Sequence, residues 1–150
     1  MGHIRRSNTE FEENPDAEVH RRLHAWGLWL YSQDNPGLDI DPVNMLGKYA
    51  RLELDDRDQW RREAEAVDSA VKMVAVLARP IIGVALKSRY EYVPEYGGVP
   101  KKERQAHQLE KCQVRTGRAL SGSRFRQIIT EGRRLVACQL PWIEAAKRTA

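Results

Sequence analysis

Wherever apolar residues cluster in this chain they return every three or four positions, and no run alternates with period two. Val19, Leu23, Trp26 and Leu30 lie on one side of a helix. It opens at Pro15-Asp16-Ala17-Glu18, where the acids oppose the positive end of the helix dipole, and should run to about Tyr31. Ser32 to Pro42 is rich in turn formers and predicts a loop. Asp41-Pro42 then starts a short helix holding Val43, Met45, Leu46 and Tyr49. Residues 51–65, charged around Leu52, Leu54 and Trp60, read as a linker that becomes helix. Val67, Ala70, Val71, Val74 and Leu77 make the next stripe, which Arg79-Pro80 breaks. Ile81, Ile82, Ala85, Leu86, Tyr90 and Val93 form another, and the span from Pro94 to Pro100 is a loop. A helix follows over about Lys101 to Lys111, with Ala106 and Leu109 inward. The fold class is all-α.

The final helix carries the most chemistry. From Ser121 or Ser123, its apolar set Phe125, Ile128, Ile129, Leu135, Val136 and Leu140 falls on one face, and its arginines fall on the other. Pro141 should interrupt it, leaving a frayed tail. A capped helix with an Arg/Gln/Thr outer face suits the DNA major groove. Within Ser123, Arg124, Arg126, Gln127, Thr130, Arg133 and Arg134, the arginines at 124 and 126 would chelate guanine, Gln127 adenine, and Thr130 would meet a thymine methyl. Lys101, Lys102, Arg104, Arg115 and Arg118 would hold phosphates, which position without specifying.

Charge strengthens this reading. The total is +4, but residues 1–65 hold 9 Lys/Arg against 14 Asp/Glu, while 66–150 hold 16 against 7. Within 101–134 there are 10 basic and 3 acidic residues, which implies that one end meets a polyanion. No apolar run approaches the ~18 residues of a membrane span, and no hydrophobic stretch follows Arg5 and Arg6 as in a secretory signal. A cytoplasmic location and no membrane partner are expected. Cys112 and Cys138 are expected to be free thiols, Cys138 as a small core residue.

Other chemistry finds little support. His20 and His24 stand one helical turn apart, but no Cys, Asp or Glu at matching local spacing completes a metal site. Asp34, Asn35, Asp39 and Asp41 fail the calcium-loop register, with Met45 where a bidentate Glu is needed. Gly97-Gly98 follows no strand and is not a phosphate loop, and no nucleophile elbow or HExxH pattern occurs. No enzyme activity, metal or cofactor is expected. Trp26-Gly27-Leu28-Trp29 is unusual in a charged segment; Trp26 and Trp29 either fill a small core or anchor a protein partner. The chain thus divides into a disordered tail (1–14), an N-terminal helical module (15–62), a helix-turn-helix domain (63–140) and a C-terminal tail (141–150).

Several of these segments resemble the phage antitermination protein Q family of the phage 21 type, whose C-terminal half is similar to region 4 of bacterial sigma factors. They are Leu23 to Trp29, Gly37 to Pro42, the helices at Ala66–Val71 and Ala85–Tyr90, and the terminal stretch from Ser123. The resemblance implies a phage- or prophage-encoded protein of a bacterial host that binds double-stranded DNA near a late promoter. It would load onto paused, sigma-containing RNA polymerase, with several copies able to act together, and suppress termination. By position, Ser123 to Arg134 would be the reading helix and Lys101 to Leu109 its brace. The tight turn of sigma-like units is missing between them: either the brace extends to about Arg118, or Cys112 to Ala119 is an insertion. The alternatives are a conventional operator-bound activator or repressor and a sigma-like adaptor without its own DNA site.

Overall fold

The computed structural model describes residues 15–50 and 57–149; the expected tail at 1–14 and the stretch 51–56, with Leu52 and Leu54, lie outside them. The described residues form helices and connecting loops without a strand, so the all-α expectation holds. In chain order they are α1 (Pro15–Asp34), α2 (Pro42–Leu46), a 3-10 turn (Gly47–Tyr49), α3 (Arg57–Leu77) and α4 (Pro80–Tyr90). A second 3-10 turn (Pro94–Tyr96), α5 (Lys101–Thr116) and α6 (Gly122–Thr149) complete the fold.

Local chemistry sets most boundaries. α1 outlasts its expected end, where Asn35 Nδ2 donates to the Tyr31 carbonyl, a group that a helix end leaves without a partner. Asp41 caps α2 by accepting from the Asn44 amide at 3.3 Å, and Asp39 pairs with Arg57 at 2.8 Å, so both acids serve structure. Arg79 is extended, as the residue before a proline must be, and Pro80 opens α4. α5 runs to Thr116, close to the longer of the two expectations for the brace. It stops at Gly117, whose φ of 66° suits a residue without a side chain.

The principal core joins Val19, Leu23 and Trp26 of α1 to the apolar faces of α3, α4 and α6, with Cys112 from α5. A second cluster gathers Ala25 and Leu28 with Ile40, Leu46 and Trp60. Lying between both, α1 is buried almost all round, and the single stripe read from its sequence captures only one of its two contacts. The expected boundary at 62/63 falls inside the continuous helix α3, and Trp26 lies in one core with residues of α6. At Gly27, α1 comes so close to the end of α4 that the Tyr92 amide donates to the Gly27 carbonyl at 3.3 Å.

Three expectations fail, two over the angular position of a residue on its helix and one over its position along it. Cys138 is exposed, since it lies about 200° around α6 from both Val136 and Leu140, which are buried. Leu77 is 72% exposed at the end of α3, beyond the reach of α4 and α6. Ala106 is exposed, and α5 instead turns Gln108 and Cys112 inward, with Leu109 half-buried. A fourth expectation fails at Pro141. There α6 continues to Thr149 instead of fraying, because Leu140 and Ile143 stay on the core and Glu144 accepts from Arg22 of α1 at 2.7 Å. Contacts at both ends of this segment offset the one backbone hydrogen bond that proline cannot make.

Candidate nucleic-acid interface

The N-terminal half of α6 is built as its sequence predicts. Ser121 Oγ accepts from the Arg124 amide at 3.0 Å, and Phe125, Ile128 and Ile129 seat the helix on the core. Ser123, Arg124, Arg126, Gln127, Thr130 and Arg134 are all exposed. At 100° per residue, positions 123, 126, 127, 130 and 134 fall on one face, opposite the buried set, with Arg124 on its shoulder. Arg124 reaches toward Gln127 at 3.5 Å, and the Thr130 hydroxyl turns back to the Arg126 carbonyl at 2.9 Å, leaving its methyl outward.

The flanking cations divide into two groups. Lys101, Lys102 and Arg118 are exposed, the lysines on the first turn of α5 and Arg118 in the five-residue connection Gly117 to Ser121. Arg115 is committed elsewhere: its guanidinium donates to both oxygens of Glu91 at 2.9 Å and to Ser88 Oγ at 3.1 Å. The phosphate role expected of Arg115 is therefore taken by an internal ion pair. Arg133 also turns inward, since it lies at the edge of the buried face. It reaches the Tyr90 hydroxyl at 3.4 Å and Asp16 at 3.4 Å. Burial opposes its charge, but Tyr90 and Asp16 outweigh burial and raise its pKa. Arg104 is half-buried and faces the space between α4, α5 and the first 3-10 turn.

Between the N-terminal turns of α5 and α6 runs a groove of about 390 Å³ floored by Leu109, Phe125 and Ile129. Arg89, Lys101, Lys102, Arg126 and Arg133 line it, and no carboxylate does. α4 supports both walls of this groove, and α5 itself touches α6 only slightly. Such a concentration of one sign over an apolar floor attracts a polyanion.

Behind the groove Arg133, Tyr90, His20 and His24 contact one another. Arg133 donates to the Tyr90 hydroxyl at 3.4 Å, and that hydroxyl shares a 2.7 Å hydrogen bond with His20 Nδ1. Burial, then Arg89 and Arg133, lower His20 to about 4. Burial, then His20, hold His24 well below its ordinary value, and its ring stacks on Tyr49 with centroids 3.8 Å apart. Among the described residues no three His, Cys, Asp or Glu side chains are grouped to hold a metal.

Trp26 is buried and donates from Nε1 to Asp68 at 3.1 Å, while Trp29 is half-buried between the two clusters. An exposed indole belongs to Trp142, 77% exposed on the last part of α6. Two polar groups escaped sequence reading: Arg21, fully buried between Glu18 and Glu63, and Arg89, half-buried behind the groove. Nothing local marks either one, because burial comes from elements far along the chain. No described helix is long and apolar enough to cross a membrane. Comparison with protein-family models, curated proteins and solved structures gives no match.

Proposed function

We propose that this chain is a DNA-binding transcription antitermination factor. In this reading α5, the five-residue connection and α6 act as a sigma region 4-like helix-turn-helix, and the protein passes from a late-promoter site to a paused bacterial RNA polymerase. One observation carries the DNA half: the exposed face of Ser123, Arg126, Gln127, Thr130 and Arg134 stands beside a groove without a carboxylate. Arginine and glutamine present the bidentate donors and acceptors that base edges require. The resemblance of the Trp-Gly-containing N-terminal helix and the terminal helix to phage antiterminators supports the polymerase half. The base-reading set is then Arg124, Arg126, Gln127 and Thr130, and the phosphate set is Lys101, Lys102, Arg118 and Arg134.

Electrophoretic titration of duplex DNA from the cognate late-promoter region tests the first half. Arg126→Ala and Gln127→Ala should each cost ~1–3 kcal/mol on the preferred site and relax its sequence preference. Lys101→Ala should weaken binding to every sequence and lower the salt slope by about one. Arg115→Ala should leave that slope unchanged. If Arg115→Ala and Lys101→Ala act alike, the assignment of the face is wrong. Transcription in vitro through a terminator placed far downstream tests the second half. Readthrough that persists with distance supports antitermination, whereas a change in initiation alone assigns the protein to operator-bound regulators.

A further inference from the structure

Adjoining the groove, and sharing Arg89 and Gln108 with it, lies a second cavity of about 400 Å³ between α1, the first 3-10 turn, the end of α4 and α5. Its size is within the range of small-ligand sites. Lys48, Arg89 and Arg104 line it, and its single acid, Glu91, is already held by Lys111 at 3.0 Å and Arg115 at 2.9 Å. Among the described residues neither Arg89 nor Arg104 has a carboxylate partner, and Arg89 lies over the Tyr90 ring, 4.9 Å from its centroid. Burial, with Arg104 and Arg133 behind it, lowers the Arg89 pKa despite Tyr90 and Tyr49. A half-buried guanidinium among like charges is a standing cost that a bound anion would relieve.

The rest of the lining is aromatic and polar, with the rings of His24, Tyr49, Tyr90, Tyr92 and Tyr96. Two lining residues carry a buried polar atom without a hydrogen-bond partner: Gln108 Oε1 and His24 Nε2. Gln108 is only 3% exposed, and an unpaired amide oxygen at that depth calls for a donor. Cations without acids answer a phosphate, while rings with unpaired polar atoms answer a heteroaromatic base.

We propose that this cavity binds a nucleoside phosphate, its phosphate on Arg89 and Arg104 and its base among Tyr49, Tyr96 and Gln108. The occupant is either a free mononucleotide or one unstacked nucleotide of a strand, and both present the same chemistry. The site shares Arg89 and Gln108 with the groove but lies away from the exposed face of α6, and it does not depend on the antitermination reading.

Calorimetric titration of the full chain with AMP, GMP, CMP, UMP, inorganic phosphate and a short single-stranded oligonucleotide tests it. At least one nucleotide, free or in the strand, should bind roughly tenfold or more tightly than phosphate and raise the melting temperature by several degrees. Free and strand-borne occupants are told apart by which arm binds. Arg89→Met and Gln108→Ala should each weaken that binding roughly tenfold or more, and Arg126→Ala should leave it unchanged. Arg89→Met without ligand should melt no lower than the parent, because it removes an unpaired charge and keeps the stem; a purely structural Arg89 would give the opposite result. Binding of phosphate as tight as of any nucleotide, no binding at millimolar concentration, or binding indifferent to Arg89→Met overturns the proposal.

Discussion

Replacing Gly27 by alanine should destabilise the fold, although the same change on an open helical site stabilises it. The intrinsic preference of helix for alanine favours the variant by ~0.8–1.0 kcal/mol. Against this, the added Cβ would sit 1.8 Å from the Tyr90 carbonyl oxygen and 2.7 Å from its carbon. Bringing that contact out to 3.0 Å, below which such approaches essentially never occur, moves the helices apart by about 1.2 Å. The obstacle is backbone and cannot rotate away. Separation opens the packing of Leu23 and Trp26 on α4 and stretches the Tyr92–Gly27 bond beyond its 3.3 Å. Overpacking costs ~1–3 kcal/mol and a lost hydrogen bond ~1 kcal/mol, so after the helix-propensity gain the net loss is about 1–3 kcal/mol. For a chain of this size that lowers the melting temperature by roughly 3–10 °C. Urea unfolding followed by tryptophan fluorescence and by circular dichroism measures it. Gly122→Ala is the control: its Cβ meets only the end of the Arg126 side chain at 3.4 Å, and stability should hold or rise. A Gly27→Ala protein more stable than its parent would refute the close crossing of α1 and α4.

Other perturbations have equally definite outcomes. His20 falls to about 4 when folded against an ordinary 6.5, so the unfolded chain binds the extra proton between those values. Stability should then be full above pH 6.5 and decline toward pH 4, by about 2 kcal/mol after allowing for partial exposure of the ring. His20→Asn should flatten that slope by about one proton in denaturant titrations at stepped pH. Arg21→Ala, which removes a fully buried guanidinium from its pairs with Glu18 and Glu63, should cost ~3–5 kcal/mol, and Arg61→Ala, whose Asp58 pair is solvent-exposed, under ~1 kcal/mol. Equal losses in urea melts would contradict the burial of Arg21. With a thiol reagent the native protein should react rapidly at exposed Cys138 and slowly at buried Cys112, whose pKa burial raises, and both should react once unfolded.

Helix positions and helix chemistry were legible in the chain because both depend on neighbours a few residues away. Periodicity located every described helix, Asp41 and Ser121 cap their helices from adjacent positions, and Pro80 breaks the chain where proline must. The outward face at Arg124, Arg126 and Gln127 follows from the same spacing that buries Phe125, Ile128 and Ile129. Tertiary structure alone decided which charged groups remain available. Arg115 and Arg133 look like Arg126 in sequence, yet Glu91, Ser88, Tyr90 and Asp16 claim them from other parts of the chain. Arg22 holds the end of α6 through Glu144, 122 residues away, and so carries that helix past a proline. A guanidinium is held or released according to what folds over it, and spacing along one helix contains nothing of that.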